Sequence, residues 1–373
     1  MAPPLRAVIA IAVTSAAAAS LGSCSASLPR LTLITYNVEN LFDATADGGE
    51  YPEFRDERRW DEAAYHRKLA AVADALHAAA PGGADLLLLQ EVEGARVVGD
   101  LHRRHLQGMG YRHLVVAPTP NVQAPPPATT IAVLSRLPVR RAGLLQVDPA
   151  ADPAAAPRSA GAAHATPLAR APPLRPLLEL ELPLADGETL FLFTAHWKSK
   201  RGGEGATAGY RRAAAEVLRR RLADLLRDDP AVDVVIAGDL NETGGWVDGG
   251  GAPASGPTPG GIRVHGSAGM LLSPAAANPI RLLSAWRDGR TSPAVAGSYH
   301  FRGTWQPIDH VLFTSGLADP RGVSYEGGLT VATDGLLTAA GTPRGTRAGG
   351  ASDHLPVVVE LRRGALAEPT AVR

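Results

Sequence analysis

With one cysteine among 373 residues, Cys24, the chain can form no intramolecular disulfide, so its stability has to come from packing and hydrogen bonding. Charge of a single sign is missing too. Lys plus Arg and Asp plus Glu number 37 each, so no global field draws the chain to nucleic acid or to an anionic membrane surface, and only local patches remain open. Past the N-terminal leader there is no apolar run of membrane-spanning hydrophobicity, and the rest of the chain is expected to be soluble. At 45% hydrophobic and 20% charged, the composition is that of a globular protein long enough for one large domain or two ordinary ones.

The leader reads as an export signal. Arg6 supplies the positive region, Ala7 to Leu21 an apolar region, and Leu21-Gly22-Ser23-Cys24 a small-residue cleavage site. Leu-Gly-Ser-Cys resembles a bacterial lipobox, which implies cleavage before Cys24 and acylation of that cysteine. The alternatives are an ordinary secretory signal or a short membrane anchor, and an apolar stretch of about 15 residues is short against the roughly 20 that cross a bilayer. Residues 1–23 are then a signal peptide and 24–30 a tether. Ser25, by resemblance to Gram-negative lipoproteins, permits passage to the outer membrane.

The chain after the leader is a series of strands that end in polar residues. Val234 to Ala237 is a continuous apolar run followed by Gly238-Asp239-Leu240-Asn241, and alternation puts Asp239 and Asn241 on one side and Leu240 on the other. Taken alone, this is also how a buried strand ends in an Asx turn. The same design recurs. Leu31 to Asn37 alternates as a strand and opens into a polar loop, Val38 to Asp43. Leu86 to Leu89 is a buried strand ending in Gln90-Glu91, and Ile131 to Arg136 is a short strand closed by Pro138. Leu177 to Leu182 and Thr189 to Ala195 form a hairpin around Asp186-Gly187, and the second strand leads into His196-Trp197-Lys198-Ser199-Lys200. Trp305 to Phe313, containing Asp309-His310, and Ser352 to Leu361, containing Asp353-His354, supply the last two strands.

Helices are expected over Asp61 to Ala80, capped by Asp61, over Leu101 to Met109, and over Tyr210 to Leu226 with Arg219, Arg220 and Arg221 on a solvated face. Segments 118–127, 148–176 and 244–261 are rich in Pro, Ala or Gly with little periodicity and read as flexible insertions, with 364–373 as a tail. One domain covers 31–363.

Thr35-Tyr36-Asn37, Gln90-Glu91, His196 to Lys200, Gly238 to Asn241, Ile308-Asp309-His310 and Ser352 to Pro356, in this order, resemble the endonuclease/exonuclease/phosphatase (DNase I-like) superfamily. Any one of these motifs is weak, but together they cover nearly the whole chain after the leader. The resemblance implies an α/β fold, a four-layered α/β/β/α sandwich of two mixed sheets, with a divalent-metal site at one rim. It further implies that Glu91 is the principal ligand of Mg²⁺ or Mn²⁺, beside Asn37 and with Asp353 completing or flanking the site. Asp239 and Asn241 match the pair that positions the attacking water, His354 the general base, Asp309 the carboxylate that orients it, and His196 the histidine that binds a phosphate oxygen. His310, next to Asp309 on a strand, faces the other way and reads as structural, and Trp305 reads as core. Lys198 and Lys200 are either solvated or phosphate-facing.

The implied function is metal-dependent hydrolysis of a phosphoester, first as an exported nuclease or phosphodiesterase, second as a lipid or small-molecule phosphoester hydrolase. A non-catalytic binding protein on the same scaffold is the reading from a different class. The partners expected are a phosphoester substrate, which includes nucleic acid, and a membrane reached through lipidated Cys24; the chain is expected to be a monomer.

Overall fold

The computed structural model describes residues 11–13, 30–47, 49–118, 129–148, 174–184, 187–243, 262–265, 269–272, 280–288, 293–319 and 321–363. In chain order these hold β1 (Ile11–Val13), β2 (Arg30–Leu41), α1 (Glu62–Ala79), β3 (Leu86–Val92), α2 (Ala95–Leu101), β4 (His113–Val116), β5 (Thr130–Ser135), β6 (Arg141–Leu145), β7 (Leu177–Pro183), β8 (Thr189–His196) and α3 (Glu204–Asp228). There follow β9 (Asp233–Asp239), β10 (Ile262–His265), β11 (Gly269–Leu272), β12 (Ile280–Ser284), β13 (Tyr299–Phe301), β14 (Thr304–Gln306), β15 (Asp309–Phe313), β16 (Val323–Ser324), β17 (Leu329–Val331) and β18 (Val357–Arg363). One sheet runs β1-β4-β5-β3-β2-β18-β16 with β17 also on β18, and the other β10-β11-β12-β15-β9-β8-β7-β6. Both are mixed. In the first, β2 pairs parallel with β3 across the helix α1; in the second, β8 pairs parallel with β9 across α3.

Four layers follow from the alternation of side chains along the central strands. In β3, Leu86 and Leu88 enter the core between the sheets, while Leu87 and Leu89 enter a second core under α1 and α2. In β9, Val235 and Ala237 face the inter-sheet core, and Val234 and Ile236 pack under α3. A strand buried on both faces has no solvent side to make polar, which is why these strands read as unbroken apolar runs. α1 covers its sheet with Tyr65, Leu69, Val72 and Leu76, and the Asp61 carboxylate accepts the Ala64 N–H at 2.7 Å to cap it.

Several boundaries differ from the sequence reading, each for a local reason. β2 does not stop at Asn37 but runs to Leu41 through a bulge at Glu39 and Asn40, both at positive φ. The helix expected over Leu101 to Met109 starts at Ala95 as α2 and then changes pitch, through a π turn at His102–Leu106 and a 3₁₀ turn at Gln107–Met109. α3 begins at Glu204 rather than at Tyr210, its first turn held by the Thr207 hydroxyl donating to the Gly203 carbonyl at 2.9 Å. The stretch from Trp305 to Phe313 is two strands, not one. Ile11–Val13, inside the leader, pairs antiparallel with β4 at a sheet edge, a pairing that a chain cleaved before Cys24 would not keep. Cys24, Asp186, residues 119–127 and 149–173, segment 244–261 and the tail 364–373 lie outside the described residues. Among the described residues, no helix is long and apolar enough to cross a membrane.

Candidate active site

All eight residues singled out in the sequence come to one rim of the two sheets, because β2, β3, β8 and β9 end there, β15 begins there, and the 352–356 segment enters β18 from the same side. The backbone is bent to deliver them. Glu91 has φ 65 and sits where the ladder of β3 and β5 shifts register, so the bulge turns its carboxylate out of the strand. Gly238 has φ 145, and a Cβ there would lie 2.1 Å from the Ala195 carbonyl oxygen, so only glycine lets β8 and β9 approach closely enough to set His196 beside Asp239.

At the centre, the Asn37 Nδ2 donates to Asp239 Oδ2 at 3.0 Å and to Glu91 Oε1 at 3.3 Å, while its Oδ1 accepts the Glu39 N–H at 3.0 Å. Asn37 thus holds two carboxylates together, and acting as a metal ligand requires its amide to be turned over. The His196 Nε2 lies 3.5 Å from Asp239 Oδ2 and 3.8 Å from Glu91 Oε1. Asp239 Oδ1 accepts the Asn241 N–H at 2.9 Å, and the Asn241 Nδ2 donates to the Trp197 carbonyl at 3.2 Å. His354 Nδ1 donates to Asp309 Oδ2 at 2.7 Å, leaving Nε2 4.0 Å from Asp239 Oδ2. Asp239, Asp309 and His354 form a cluster tight enough to hold a cation, but the short Nδ1 to Oδ2 contact accounts for Asp309 and His354 as a hydrogen-bonded pair.

Burial and crowding set the charges. Burial, then the Asp309 carboxylate, push Asp239 up to about 7; burial, then Glu39 and Glu91, push Asp353 up to about 6. His196 is held well below its ordinary value by burial and then by the Arg175 cation, so it is a neutral donor. His354 goes the other way: burial alone would lower it, but Asp309, Asp239 and Asp353 hold it well above its ordinary value. The raised Asp239 and Asp353 carboxylates are what a hard divalent cation relieves, and Glu91 adds a further oxygen donor at the same rim. Oxygen donors of this kind suit a hard divalent cation.

Other groups hold this arrangement in place. Glu39 Oε2 accepts the Thr346 N–H at 2.7 Å and the Asp353 N–H at 3.1 Å, tying the β2 bulge to the 345–353 segment. Lys68, 3% exposed, donates to the carbonyls of Glu39 at 3.0 Å and Ala351 at 2.6 Å and to the Thr346 hydroxyl at 2.5 Å. Beneath Asn241, the fully buried Arg211 is paired with Glu242 and also donates to the Lys198 carbonyl at 3.1 Å. His310 Nε2 donates to the Glu242 carbonyl at 2.6 Å, the structural part expected of it, and Trp305 packs against the inter-sheet core. Lys200 pairs with Glu204 at 3.0 Å at the cleft edge.

Sequence reasoning missed Lys68 and Arg211, although each carries a signal: a cation on the apolar face of its helix, in line with Tyr65 and Val72 in α1 and with Leu218 and Leu222 in α3. It also missed Arg175, placed inside the supposed insertion 148–176. That side chain is anchored, donating to the Thr129 carbonyl at 2.9 Å and hydroxyl at 2.8 Å, and its cation acts on Glu91, Asp239 and His196.

The fold and the rim define a class: a four-layered α/β sandwich whose two sheets bring carboxylates, amides and two histidines to one centre. The chain belongs to the Endonuclease/Exonuclease/phosphatase family, whose model matches residues 34–354. Members of that superfamily are hydrolases acting on phosphoester bonds. Its fold is similar to that of the endonuclease/exonuclease/phosphatase from Bacteroides vulgatus, with a TM-score of 0.52 and 14% identity over 90% of this chain and 99% of that one. The endonuclease/exonuclease/phosphatase family protein from Bacteroides thetaiotaomicron gives a TM-score of 0.50 and 16% identity over 91% and 100%. A functionally unknown conserved protein from Enterococcus faecalis gives 0.51 and 13% over 89% and 100%. No curated protein matches the sequence significantly.

Proposed function

We propose that this protein is a divalent-metal-dependent phosphodiesterase or nuclease, exported and held to the bacterial envelope through Cys24. The observation that carries the catalytic reading is the His354–Asp309 pair at 2.7 Å, with the free Nε2 turned toward Asp239 in the cleft. With Nδ1 committed to Asp309, Nε2 is the atom that takes the proton of an attacking water, and the Asp309 charge stabilises the imidazolium as it forms. Asp239 and Asn241 position that water. Its oxygen bonds to phosphorus as the ester oxygen opposite departs.

His196, neutral, donates from Nε2 to a non-bridging phosphate oxygen, and Arg175 adds a fixed cation close by. Glu91, with Asp353 and the Asp239 oxygen beside it, would hold Mg²⁺ or Mn²⁺, which supplies Lewis-acid stabilisation of phosphate charge. His354 is held protonated by Asp309, Asp239 and Asp353, and a cation bound at those carboxylates would offset that effect and favour the neutral form a base requires.

The test is hydrolysis of bis(p-nitrophenyl) phosphate, plasmid DNA and sphingomyelin by the purified protein, with Mg²⁺ and with chelator. Metal-dependent turnover of the diester or DNA supports the reading. Turnover of sphingomyelin alone moves it to a lipid phosphodiesterase, and binding without turnover makes the chain a binding protein.

A further inference from the structure

The wall of the cleft beside His354 is a hairpin with no part in the chemistry described above. Its two strands, β13 and β14, join through Arg302 at φ 50 and Gly303 at φ 84, the two positive-φ positions of a tight two-residue turn whose twist matches that of the strands. The ladder pairs Tyr299 with Gln306, His300 with Trp305 and Phe301 with Thr304, and cross-strand partners share a face. His300 and Trp305 turn inward, with Trp305 against the inter-sheet core. Tyr299, Phe301 and Gln306 are left on the cleft side, with Arg302 at the tip.

This hairpin is fixed to the catalytic pair. Ser298 Oγ donates to Asp309 Oδ2 at 2.6 Å, the Leu355 N–H donates to the Ser298 carbonyl at 2.8 Å, and the Tyr299 ring lies 4.6 Å from the His354 ring. The Tyr299 and Phe301 rings are parallel to within 13°, with centroids 6.2 Å apart, and the Arg302 guanidinium lies 5.1 Å over Phe301. Phe301 is 46% exposed and is the large hydrophobic side chain most open to solvent among the described residues. A preorganised aromatic surface, with the Gln306 amide at its edge and the Arg302 cation over the Phe301 ring, is thus held next to the atom that would receive the proton of water.

We propose that the cleft face of this hairpin is a nucleobase subsite, where an unpaired base flanking the scissile phosphodiester of a single-stranded nucleic acid stacks on Phe301 and Tyr299. Gln306 offers a donor and an acceptor to the base edge, and Arg302 a cation to the adjoining phosphate. Bases in a duplex are already stacked and present no free face, so the subsite favours single strands or frayed ends. The cleft is about 1590 Å³, beyond the roughly 300–1,000 Å³ of small-molecule sites. Arg59, Arg67, Arg201 and Arg347 on its other walls, with Arg59 paired to Asp56 and Arg347 to Glu53, make that lining charged, which suits a polyanion better than an apolar tail. The inference rests on the phosphodiesterase reading and adds the substrate class.

The test compares a short single-stranded oligonucleotide with the same strand abasic at the position flanking the cleaved bond, using wild type, Phe301→Ala and Phe301→Trp with Mg²⁺. The expected wild-type preference in kcat/KM for the base-containing strand is about tenfold or more. It collapses toward one in Phe301→Ala and survives in Phe301→Trp. A wild-type ratio near one, or a ratio untouched by Phe301→Ala, overturns the subsite. So does Phe301-dependent hydrolysis of sphingomyelin vesicles with no base preference on oligonucleotides, which would make the ring a membrane contact. If the wild type cleaves neither strand, the hydrolase reading fails by itself, and fluorescence anisotropy of the same two strands decides the subsite by the same ratio.

Discussion

Asp309 and His354, 45 positions apart in sequence, meet through a single carboxylate oxygen: Oδ2 accepts His354 Nδ1 at 2.7 Å and the Ser298 hydroxyl at 2.6 Å, while Oδ1 is buried without a partner. Two donors on one oxygen fix both the carboxylate rotamer and the imidazole plane. The order of events the geometry allows is then narrow, because only Nε2 of His354 remains free to exchange a proton in the cleft.

Glu91→Gln keeps an oxygen to accept the N–H of Asn40, now at 2.9 Å from Oε2, so the fold should survive. It removes the charge a hard cation prefers. Titration calorimetry should show Mg²⁺ or Mn²⁺ affinity falling by more than the about 10–100-fold typical of groups that merely support a ligand. Wild-type affinity in the variant would remove Glu91 from the metal site.

Lys68→Met leaves the Glu39 and Ala351 carbonyls and the Thr346 hydroxyl without their shared donor in a dry position. Bonds from a charged group contribute about 1.5–3 kcal/mol each, and partial relaxation should limit the total loss to about 3 kcal/mol, read by urea unfolding. Metal affinity should fall as well, because the segment carrying Asp353 loses its anchor. A loss of stability with unchanged metal affinity would separate Lys68 from the site.

These two residues mark where the sequence was legible and where it was not. Strands such as β3 and β9 announce themselves because both faces are buried, and the polar groups that break each apolar run mark the rim where the eight candidate residues gather. Glu39 and Asn40 look like loop in the sequence because a bulge is set by φ, which composition does not encode. Arg175 was lost in a Pro- and Ala-rich stretch because its anchor, Thr129, is 46 positions away. Tyr299 and Phe301 alternate as any strand would, and only the turn at Arg302-Gly303 and the contact with His354 give them a direction.

Glu93 supplies a pH dependence. Burial, then Asp43, Asp47 and Glu50, raise its carboxyl from 4.5 to about 7, against the lowering effect of the Asp43 N–H. Between those values the folded state binds more protons than the unfolded one, so this group's contribution to stability falls as pH rises through the window and its cost is complete above about 7. Glu93→Gln should therefore melt higher than wild type at pH 8 by about 2 °C or more, with the gap closing at pH 5, both in chelator. An equal gap at both pH values would place the cost elsewhere.

Cys24→Ser should move the protein from the membrane fraction to the soluble fraction of the expressing cell, with hydrolysis by the released protein unaltered. Equal membrane association of variant and wild type would end the lipoprotein proposal.

The most direct measurement is kcat on a phosphodiester for His354→Ala, Asp309→Ala and the double variant at saturating Mg²⁺. Losing a general base costs about 10² to 10⁴ in rate, and a carboxylate that acts only through that base has nothing left to orient once it is gone. The account predicts large losses in both single variants and a double variant hardly slower than His354→Ala. Losses that multiply in the double variant would show that Asp309 and His354 act independently, and would contradict the pairing on which the proposed chemistry stands.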